Sequence, residues 1–313
     1  MICDERLDEH RACFVHLSDL HLSSLETVPW HRLLGKRFLG YLSWRRKRRF
    51  EHSPHVIEAL TQQLRDIYPD QYVITGDLTH IGLPQEFIQA ASWLRQLGNP
   101  QQIAVVPGNH DGYARESWAN SYGCWFDYLA SDQCSASDGI SYPTLRIRDQ
   151  VAFIGLSSAV PTPPLMATGA LGNEQLDRLG PLLRETGRQG LFRVVYLHHP
   201  PFKKGEKWRK RLIDANELEA VLAVGGAELV LHGHAHRNVD REIEAAGRRI
   251  PVLGVASASA AGLHGESASF GVYELEAVDN MGWRLERKLW RWTADRGCFS
   301  EAGCQHWDIG SPI

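Results

Sequence analysis

The tetrapeptide GNHD at positions 108–111 follows directly after an apolar run, IAVVP at 103–107. A tight turn at the end of a strand would by itself explain the glycine and the asparagine. An amide, an imidazole and a carboxylate in consecutive positions are also typical of a loop that carries metal ligands. The other predicted strands of the chain decide between these interpretations, because a metal site would need further ligands at their ends.

Five predicted strands end in clusters of Asp, Asn and His. In chain order these are CFVHL (13–17) before SDLH, QYVIT (71–75) before GD, IAVVP before GNHD, RVVYL (193–197) before HHP, and ELVL (228–231) before HGHAH. In open α/β sheets, sites form in the crevice at the carboxyl ends of the strands. We therefore expect these side chains to converge although they are far apart in the sequence.

Strands and helices alternate through the first half of the chain, and more strands fill the second half. This pattern predicts an α/β protein with a layered sheet core. Helices are predicted from Pro54 after the N-cap Ser53, from Pro84, and after Asp214, with Glu217 completing a capping box. A hairpin is predicted at 149–150. We expect a single domain over 1–313, with a basic insert at about 29–50 and one closing strand and a tail at about 280–313.

Composition excludes several classes of protein. A net charge of −3 gives no global field for nucleic acid, and no recognition motif is present, so no specific nucleic-acid partner is predicted. We find neither a signal peptide nor an apolar run long enough to cross a bilayer. The six scattered cysteines favour reduced thiols in the cytoplasm, with a Cys3–Cys13 or Cys298–Cys304 bridge as the alternative for an exported protein.

The strand ends carry seven candidate metal ligands: Asp19, His21, Asp77, Asn109, His198, His234 and His236. Carboxylate, amide oxygen and imidazole without thiolate form a set that suits Mn, Fe, Zn or Co. Seven ligands exceed the need of one ion but divide into two four-ligand shells if one carboxylate bridges. Two ions roughly 3.5–4 Å apart form a clamp for in-line displacement at phosphorus.

The motifs DxH, GD, GNHD, a His before Pro, and GHxH, in this order from Asp19 to His236, resemble those of the calcineurin-like metallophosphoesterase superfamily. The resemblance implies a four-layer α/β/β/α sandwich of the metallophosphoesterase type, in which two mixed β-sheets are flanked by helices. It also implies a binuclear centre of two divalent or mixed-valence transition metal ions, with manganese, iron and zinc as the candidates.

The same resemblance implies roles for individual residues. One metal would be held by Asp19, His21 and His236, the other by Asn109, His198 and His234, and Asp77 would bridge them. His110 would give a proton to the leaving oxygen or stabilise its charge, and we expect Asp111 to orient His110 through its other ring nitrogen. His199 is interpreted as a pocket or packing residue.

Two basic tracts follow ligand-bearing strands. The first, PWHRLLGKRFLGYLSWRRKRRF (29–50), contains no acid and spaces its apolar residues as an amphipathic helix does. The second covers 203–211. Arg45, Arg46, Lys203 and His199 are therefore candidate contacts to an anionic phosphoester substrate. The alternatives are a helix pair solvated on its basic side, and peripheral contact with a membrane.

Together these features predict a metal-dependent phosphoesterase that hydrolyses phosphodiesters by attack of a metal-bridging hydroxide. The alternative is a nucleotide–lipid pyrophosphohydrolase, similar to a UDP-diacylglucosamine hydrolase, acting at the membrane surface. A small open cleft would favour diesters, whereas a pocket for two acyl chains would favour the alternative. A third hypothesis is a non-catalytic scaffold of the same fold. Metal identity, natural substrate and oligomeric state are left open.

Overall fold

The computed structural model describes residues 11–135, 139–245, 247–263, 265–278 and 282–310. In these ranges the strands are β1 (Arg11–Leu17), β2 (Gln71–Ile74), β3 (Ile103–Val105), β4 (Thr144–Arg148), β5 (Val151–Gly155), β6 (Phe192–Leu197), β7 (Leu229–His232), β8 (Val239–Ala245), β9 (Arg248–Gly254), β10 (Ser269–Val278), β11 (Gly282–Thr293) and β12 (Cys298–Ile309). The helices are α1 (Lys36–Ser43), α2 (Arg49–Glu51), α3 (Pro54–Ile67), α4 (Pro84–Leu97), α5 (Phe126–Leu129), α6 (Asn173–Arg188) and α7 (Ala215–Gly225).

The described strands form two mixed sheets. The first has the order β12-β11-β10-β1-β2-β3, and the second has the order β4-β5-β6-β7-β9-β8. Strands β1, β2 and β3 are parallel, as are β5, β6, β7 and β9, while the remaining strands add in antiparallel fashion. The parallel strands therefore end at one edge of each sheet, which is where the polar clusters of the sequence lie.

Three apolar cores separate four layers. Phe14, Phe153 and Tyr273 pack between the sheets, with the rings of Phe14 and Tyr273 stacked at 4.8 Å. Helices α3 and α4 cover the first sheet through residues such as Leu60 and Phe87, and α6 and α7 cover the second in the same way. The apolar stripe of each helix faces its sheet, as an amphipathic pattern dictates. This arrangement confirms the predicted α/β/β/α sandwich.

Several local expectations are corrected. Asp214 does not cap α7; its carboxylate instead accepts the backbone N–H groups of Leu171 and Gly172, both at 2.8 Å. Helix α6 was not predicted, because Gly180 and Pro181 in its middle are residues that usually interrupt a helix. Strand β8 was missed because its alternating polar residues are exposed.

The C-terminal region contains two long strands rather than one strand and a tail. Strands β11 and β12 pair along their whole length, from Trp283 opposite Ile309 to Thr293 opposite Cys298. They extend the first sheet beyond β10, and Trp283 and Leu285 are buried against the second sheet. Cys298 and Cys304 are exposed free thiols, whereas Cys3 lies outside the described residues.

The basic insert folds back onto the domain. Helix α1 continues through a wide helical turn, Trp44–Arg48, into α2. Trp44 is buried beside Ile81 and Leu83, and Arg37 forms an ion pair with Glu116 at 2.9 Å. These contacts fix the turn next to the loops that follow β2 and β3. Within the described part of the chain, no helix combines the length and the apolar character that a membrane span requires.

Candidate metal centre

The five polar loops meet at the carboxyl edge of the two sheets and are joined by backbone hydrogen bonds. The Asp19 N–H donates to the Gly76 carbonyl at 2.9 Å, and the His21 N–H donates to the Asp77 carbonyl at 3.0 Å. In the second sheet, the Gly233 N–H donates to the His198 carbonyl at 3.0 Å, and between the sheets the Ala258 N–H donates to the Ser18 carbonyl at 2.9 Å. Backbone pairing therefore fixes the loops relative to one another before any side chain is considered.

Five of the predicted ligand residues adopt a left-handed backbone conformation that is uncommon for residues other than glycine. The φ angles are 54° at Asp19, 44° at His21, 56° at Asp77, 63° at His234 and 51° at His236. Each such conformation costs of order 1–3 kcal/mol and persists only where the surrounding structure imposes it. Its occurrence at five positions of one small region is typical of a functional site.

Gly108, the first residue of GNHD, is required by close packing. A Cβ atom there would lie 2.5 Å from the Asp77 backbone nitrogen and would overlap the Asp77 carboxylate. The loop after β3 therefore approaches Asp77 more closely than any larger residue would permit. Glycine at position 108 is therefore needed for the position of Asp77 as well as for the turn.

The structure brings all seven predicted ligands together. Asp19, His21, Asp77 and His236 offer donor atoms within 4.8 Å of one another, and Asp77, His198 and His234 form a second such group. The Asn109 side-chain oxygen lies 3.1 Å from His198 Nε2 and so joins the second group. Asp77 is the member that the two groups share.

The donor atoms fit transition metal ions. One oxygen of each carboxylate is occupied: Asp77 Oδ1 accepts the His110 N–H at 2.7 Å, and Asp19 Oδ2 accepts the His234 N–H at 3.0 Å. The other two oxygens, Asp77 Oδ2 and Asp19 Oδ1, are buried and face imidazole nitrogens at 3.3 and 3.0 Å, while His21 Nε2 is buried without a hydrogen-bond partner. Buried polar atoms of this kind are costly unless a cation or hydrogen bond satisfies them.

Hydrogen bonds orient two of the rings toward the centre. Nδ1 of His21 lies 2.8 Å from the Thr79 carbonyl oxygen, and Nδ1 of His198 lies 2.6 Å from the Thr75 carbonyl oxygen. Each ring therefore donates from Nδ1 and presents Nε2, as in known metal sites. Burial lowers the pKa of His21 well below its usual value, which favours the neutral form that binds metals.

Charge pairs link the carboxylates to the other histidines. His236 Nε2 lies 3.0 Å from Asp19 Oδ1, and His198 Nε2 lies 3.3 Å from Asp77 Oδ2. Although burial alone would lower it, the Asp77 carboxylate raises the pKa of His198 to about 9. The carboxylates thus attract positive charge to the same positions that a metal ion would take.

Asp111 supports the loops rather than His110, so the predicted contact between the Asp111 carboxylate and the His110 ring is wrong. Its carboxylate accepts the backbone N–H groups of Gly108 and Asp77 at 2.9 Å, and those of Leu78 and Thr79 at 3.1 and 3.0 Å. Both oxygens of the Asp111 carboxylate are therefore occupied by backbone N–H groups and not by the ring of the neighbouring His110. Asp111 is therefore a positioning residue for the loop that carries Asp77.

The His110 ring is held by other groups. Its Nδ1 contacts the backbone carbonyl of His80, and its Nε2 lies 2.7 Å from a guanidinium nitrogen of Arg48. Burial and, next, the Arg48 charge lower the pKa of His110. His110 lies at the edge of the donor groups without belonging to either of them.

His199 is a packing residue, and its predicted contact with substrate is not supported. The residue is fully buried, with Nδ1 2.8 Å from the Ser158 hydroxyl and Nε2 3.2 Å from the Ala167 carbonyl oxygen. Both ring nitrogens are thus engaged with the protein. The adjacent His198 is the member of the pair that points into the donor groups.

A cavity of about 480 Å³ opens above the centre. Among the residues that line it are Asp77, Asn109, His110, His234 and His236. The predicted contacts Arg45, Arg46 and Lys203 do not line this cavity, and Arg45 and Arg46 point to solvent. The cavity lining therefore gives no support to a contact of these three side chains with substrate, which stays a prediction.

The family model for calcineurin-like phosphoesterases matches residues 14–238. The chain belongs to this family. The matched segment contains all seven predicted ligands as well as the basic insert.

Two curated proteins are similar in sequence. A probable cyclic nucleotide phosphodiesterase of Synechococcus is 29% identical over 182 residues, which are 57% of this chain and 62% of that protein. The glycerophosphodiester phosphodiesterase GpdQ of Enterobacter lignolyticus is 28% identical over 140 residues, 44% of each chain. The chain thus spans about half the length of the curated relatives it matches.

Solved structures share the fold at low identity. A dimetal phosphatase from Danio rerio superposes with a TM-score of 0.61 at 12% identity, covering 94% of this chain and 98% of that one. GAP50, the anchor in the inner membrane complex of Plasmodium, superposes with a TM-score of 0.50 at 13% identity, covering 96% and 89%. At this identity the likeness establishes the fold alone.

Sequence reasoning missed three side chains at the cavity of this phosphoesterase family member. Arg48 comes from the end of the basic insert, His52 lies just after it, and Lys210 comes from the loop after β6. His52 Nδ1 is 2.7 Å from the Ser259 hydroxyl, and its ring centroid is 4.4 Å from that of His21. The two basic tracts indicated that cations lie near the cavity. Because of the wide turn at Trp44–Arg48, however, Arg48 lines the cavity and Arg45 and Arg46 do not.

Proposed function

We propose that the protein is a metal-dependent phosphoester hydrolase that acts on phosphodiesters. The observation that carries the proposal is the position of Asp77, which is fully buried and belongs to both donor groups. A carboxylate shared in this way suits a binuclear centre. The names of the two curated relatives, both phosphodiesterases, support the same class of reaction.

In this proposal Asp19, His21 and His236 hold one ion, Asn109, His198 and His234 hold the other, and Asp77 serves both. Two bound Mn, Fe or Zn ions would supply positive charge for the phosphoryl oxygens and lower the pKa of a water molecule. The protein holds the donor atoms at fixed positions through the backbone pairs of its loops. Positioning of this kind is the main contribution that phosphoryl transfer asks of a protein.

His110 is assigned to the leaving oxygen. Its backbone N–H is held by Asp77 at 2.7 Å, and its ring lines the cavity beside the donor groups. Because Nδ1 donates to the His80 carbonyl and burial favours the neutral ring, Nε2 would have to take up a proton before it could reduce the charge that develops on the departing oxygen. The Arg48 guanidinium beside the ring adds positive charge at the same place.

The cavity favours small diesters over lipids. Polar and charged groups dominate its lining, and its volume of about 480 Å³ is that of a site for a ligand of moderate size. Two acyl chains would need an apolar pocket, which this cavity does not offer. The complete set of seven donors argues against a non-catalytic scaffold, since a scaffold would have no reason to retain them.

One observation favours the nucleotide–lipid pyrophosphohydrolase as a second candidate. Trp30, Leu34 and Phe38 of the basic insert expose 80%, 70% and 50% of their surface. Exposed apolar side chains on a basic helical segment are typical of peripheral membrane contact. In that case the lipid part of a substrate would stay near the insert while its phosphoryl groups reach the metal ligands.

A panel assay with added Mn, Fe or Zn tests the proposal. The substrates are aryl phosphate mono-, di- and triesters, cyclic nucleotides and a nucleotide-sugar lipid in detergent. We expect metal-dependent hydrolysis with the highest kcat/KM for a diester. Preference for the nucleotide-sugar lipid over the same nucleotide sugar without its acyl chains would establish the second candidate, and absence of hydrolysis by metal-loaded protein for every substrate would contradict both.

A further inference from the structure

Two cationic side chains from separate segments face the candidate metal centre. Arg48 lies in the turn Trp44–Arg48 of the basic insert, and Lys210 lies in the loop that follows β6. Both line the cavity that also contains Asp77 and His236. Among the described residues, no carboxylate forms an ion pair with either of them.

The carboxylates that share the cavity wall are engaged elsewhere. Glu51 pairs with Lys47 at 3.2 Å. The side chain of Glu266 accepts the backbone N–H of Asn238 at 2.9 Å and its side-chain amide at 2.5 Å. Within the described part of the cavity wall, Arg48 and Lys210 are therefore cations without a carboxylate in direct contact. The negative charges that act on both are those of Asp77 and Asp19, which the proposed metal ions would neutralise.

This arrangement is unfavourable without an anion. Burial lowers the pKa of the Arg48 guanidinium, and burial followed by the Arg48 charge lowers the pKa of the Lys210 ammonium. Two like charges in one partly desolvated cavity destabilise each other. An anionic group of the substrate between them would remove this cost and gain charge-assisted hydrogen bonds.

The metal ions would neutralise one phosphoryl group and no more. The cluster contains two carboxylates, Asp19 and Asp77, so two divalent ions with a bound hydroxide would leave a single excess positive charge there. A diester carries one negative charge on its single phosphoryl group. Arg48 and Lys210 add charge outside the donor groups, where a second phosphoryl group of a longer substrate would lie.

We propose that Arg48 and Lys210 form an anion subsite for a second phosphoryl group, which makes diesters of pyrophosphate the preferred substrates. The inference rests on the proposed function and narrows its substrate class. In the reaction, a water oxygen forms a bond to one phosphorus and the bridging P–O bond to it breaks. The bridging oxygen leaves with the second phosphoryl group, the products are two phosphomonoesters, and the protons of water pass to solvent and product.

A matched pair of substrates tests the subsite. The methyl ester of AMP carries one phosphoryl group, and the β-methyl ester of ADP carries two, with the same nucleoside and alcohol. We expect wild-type protein to show a higher kcat/KM for the ADP ester. Arg48→Gln and Lys210→Gln should each lower the ratio of the two kcat/KM values by about 10- to 100-fold, the size of one hydrogen bond to a charged group.

Control variants remove charge from the same segments without altering the cavity wall. Arg45 lies on the insert, and Lys207 precedes Lys210 in its loop; both are exposed and neither lines the cavity. Arg45→Gln and Lys207→Gln should leave the ratio at its wild-type value. An equal fall in all four variants would attribute the effect to the general field of the basic tracts and overturn the subsite.

A binding measurement separates this inference from the proposed function. The α,β-methylene analogue of the ADP ester cannot be cleaved at its bridge, so its Kd for metal-loaded protein is measurable by calorimetry whether or not catalysis occurs. We expect Lys210→Gln to weaken binding of this analogue by at least about tenfold relative to binding of AMP, the product with one phosphoryl group. Equal weakening of both ligands would overturn the subsite, whereas tight binding without hydrolysis would overturn only the proposed function.

Discussion

The floor and the wall of the cavity differ in how their residues are positioned. The floor consists of ligands on loops that directly follow buried strands, and Asp19, Asp77 and His198 are fully buried there. The wall includes Arg48 and Lys210, which come from an insert and a long loop. A residue that follows a sheet strand has its place set by the sheet, whereas a residue on an insert depends on how the insert folds and packs.

The largest effect is expected at the floor, from Asp77→Asn. This change keeps the shape of the side chain but removes the charge that the two donor groups share, so both ions should be lost. Activity should fall by at least about 10³-fold, since the loss of one oxyanion-hole donor already costs 10²–10³. Metal analysis and kcat/KM measure the two effects. Asp177→Ala on the exposed face of α6 is the control, and full metal content in Asp77→Asn would refute the shared position.

The adjacent residues His198 and His199, which follow β6, should differ in their effect on metal binding. His198→Ala should deplete one of the two ions because its Nε2 lies beside Asp77 and Asn109. His199→Ala should retain both ions and instead lower the free energy of unfolding by about 1–3 kcal/mol through its lost hydrogen bonds. Metal content and denaturant unfolding distinguish the two. Depletion in His199→Ala with retention in His198→Ala would reverse the assignment.

His110→Ala tests whether His110 acts on the leaving oxygen without serving as a metal ligand. Because its ring belongs to neither donor group, the variant should bind both ions while kcat falls by about 10²–10⁴-fold, the usual contribution of a general acid. The fall should be greatest for substrates with poor leaving groups. A loss of metal in this variant would make His110 a ligand, and an equal fall for all leaving groups would contradict its role at the leaving oxygen.

The smallest effect is expected on the outer side of the insert. Arg45 and Arg46 are exposed and do not line the cavity, so the double change to Gln should alter KM for small diesters by less than about twofold, as the median exposed charge contributes little. Steady-state kinetics at physiological salt measures this. A large rise in KM for a small diester would mean that these side chains reach the substrate after all, as the sequence first suggested.

The two regions also show how far sequence reasoning reaches. The fold class, the strand ends and the meeting of Asp19, Asp77 and His236 follow from strand patterns and motif order, because parallel strands converge at one edge. The partner of the His110 ring could not be predicted, since the Asp111 carboxylate is taken by backbone N–H groups of neighbouring loops. Arg48 was missed because a widened helical turn changes the helical phase at Trp44.

In the proposed centre, seven side chains at five strand ends hold two ions through one shared carboxylate. The most direct measurement is the metal content of the purified wild-type protein after loading with Mn or Zn and removal of excess ion, by mass spectrometry of the metal. We expect two ions per chain. One ion or none per folded chain would contradict the binuclear centre.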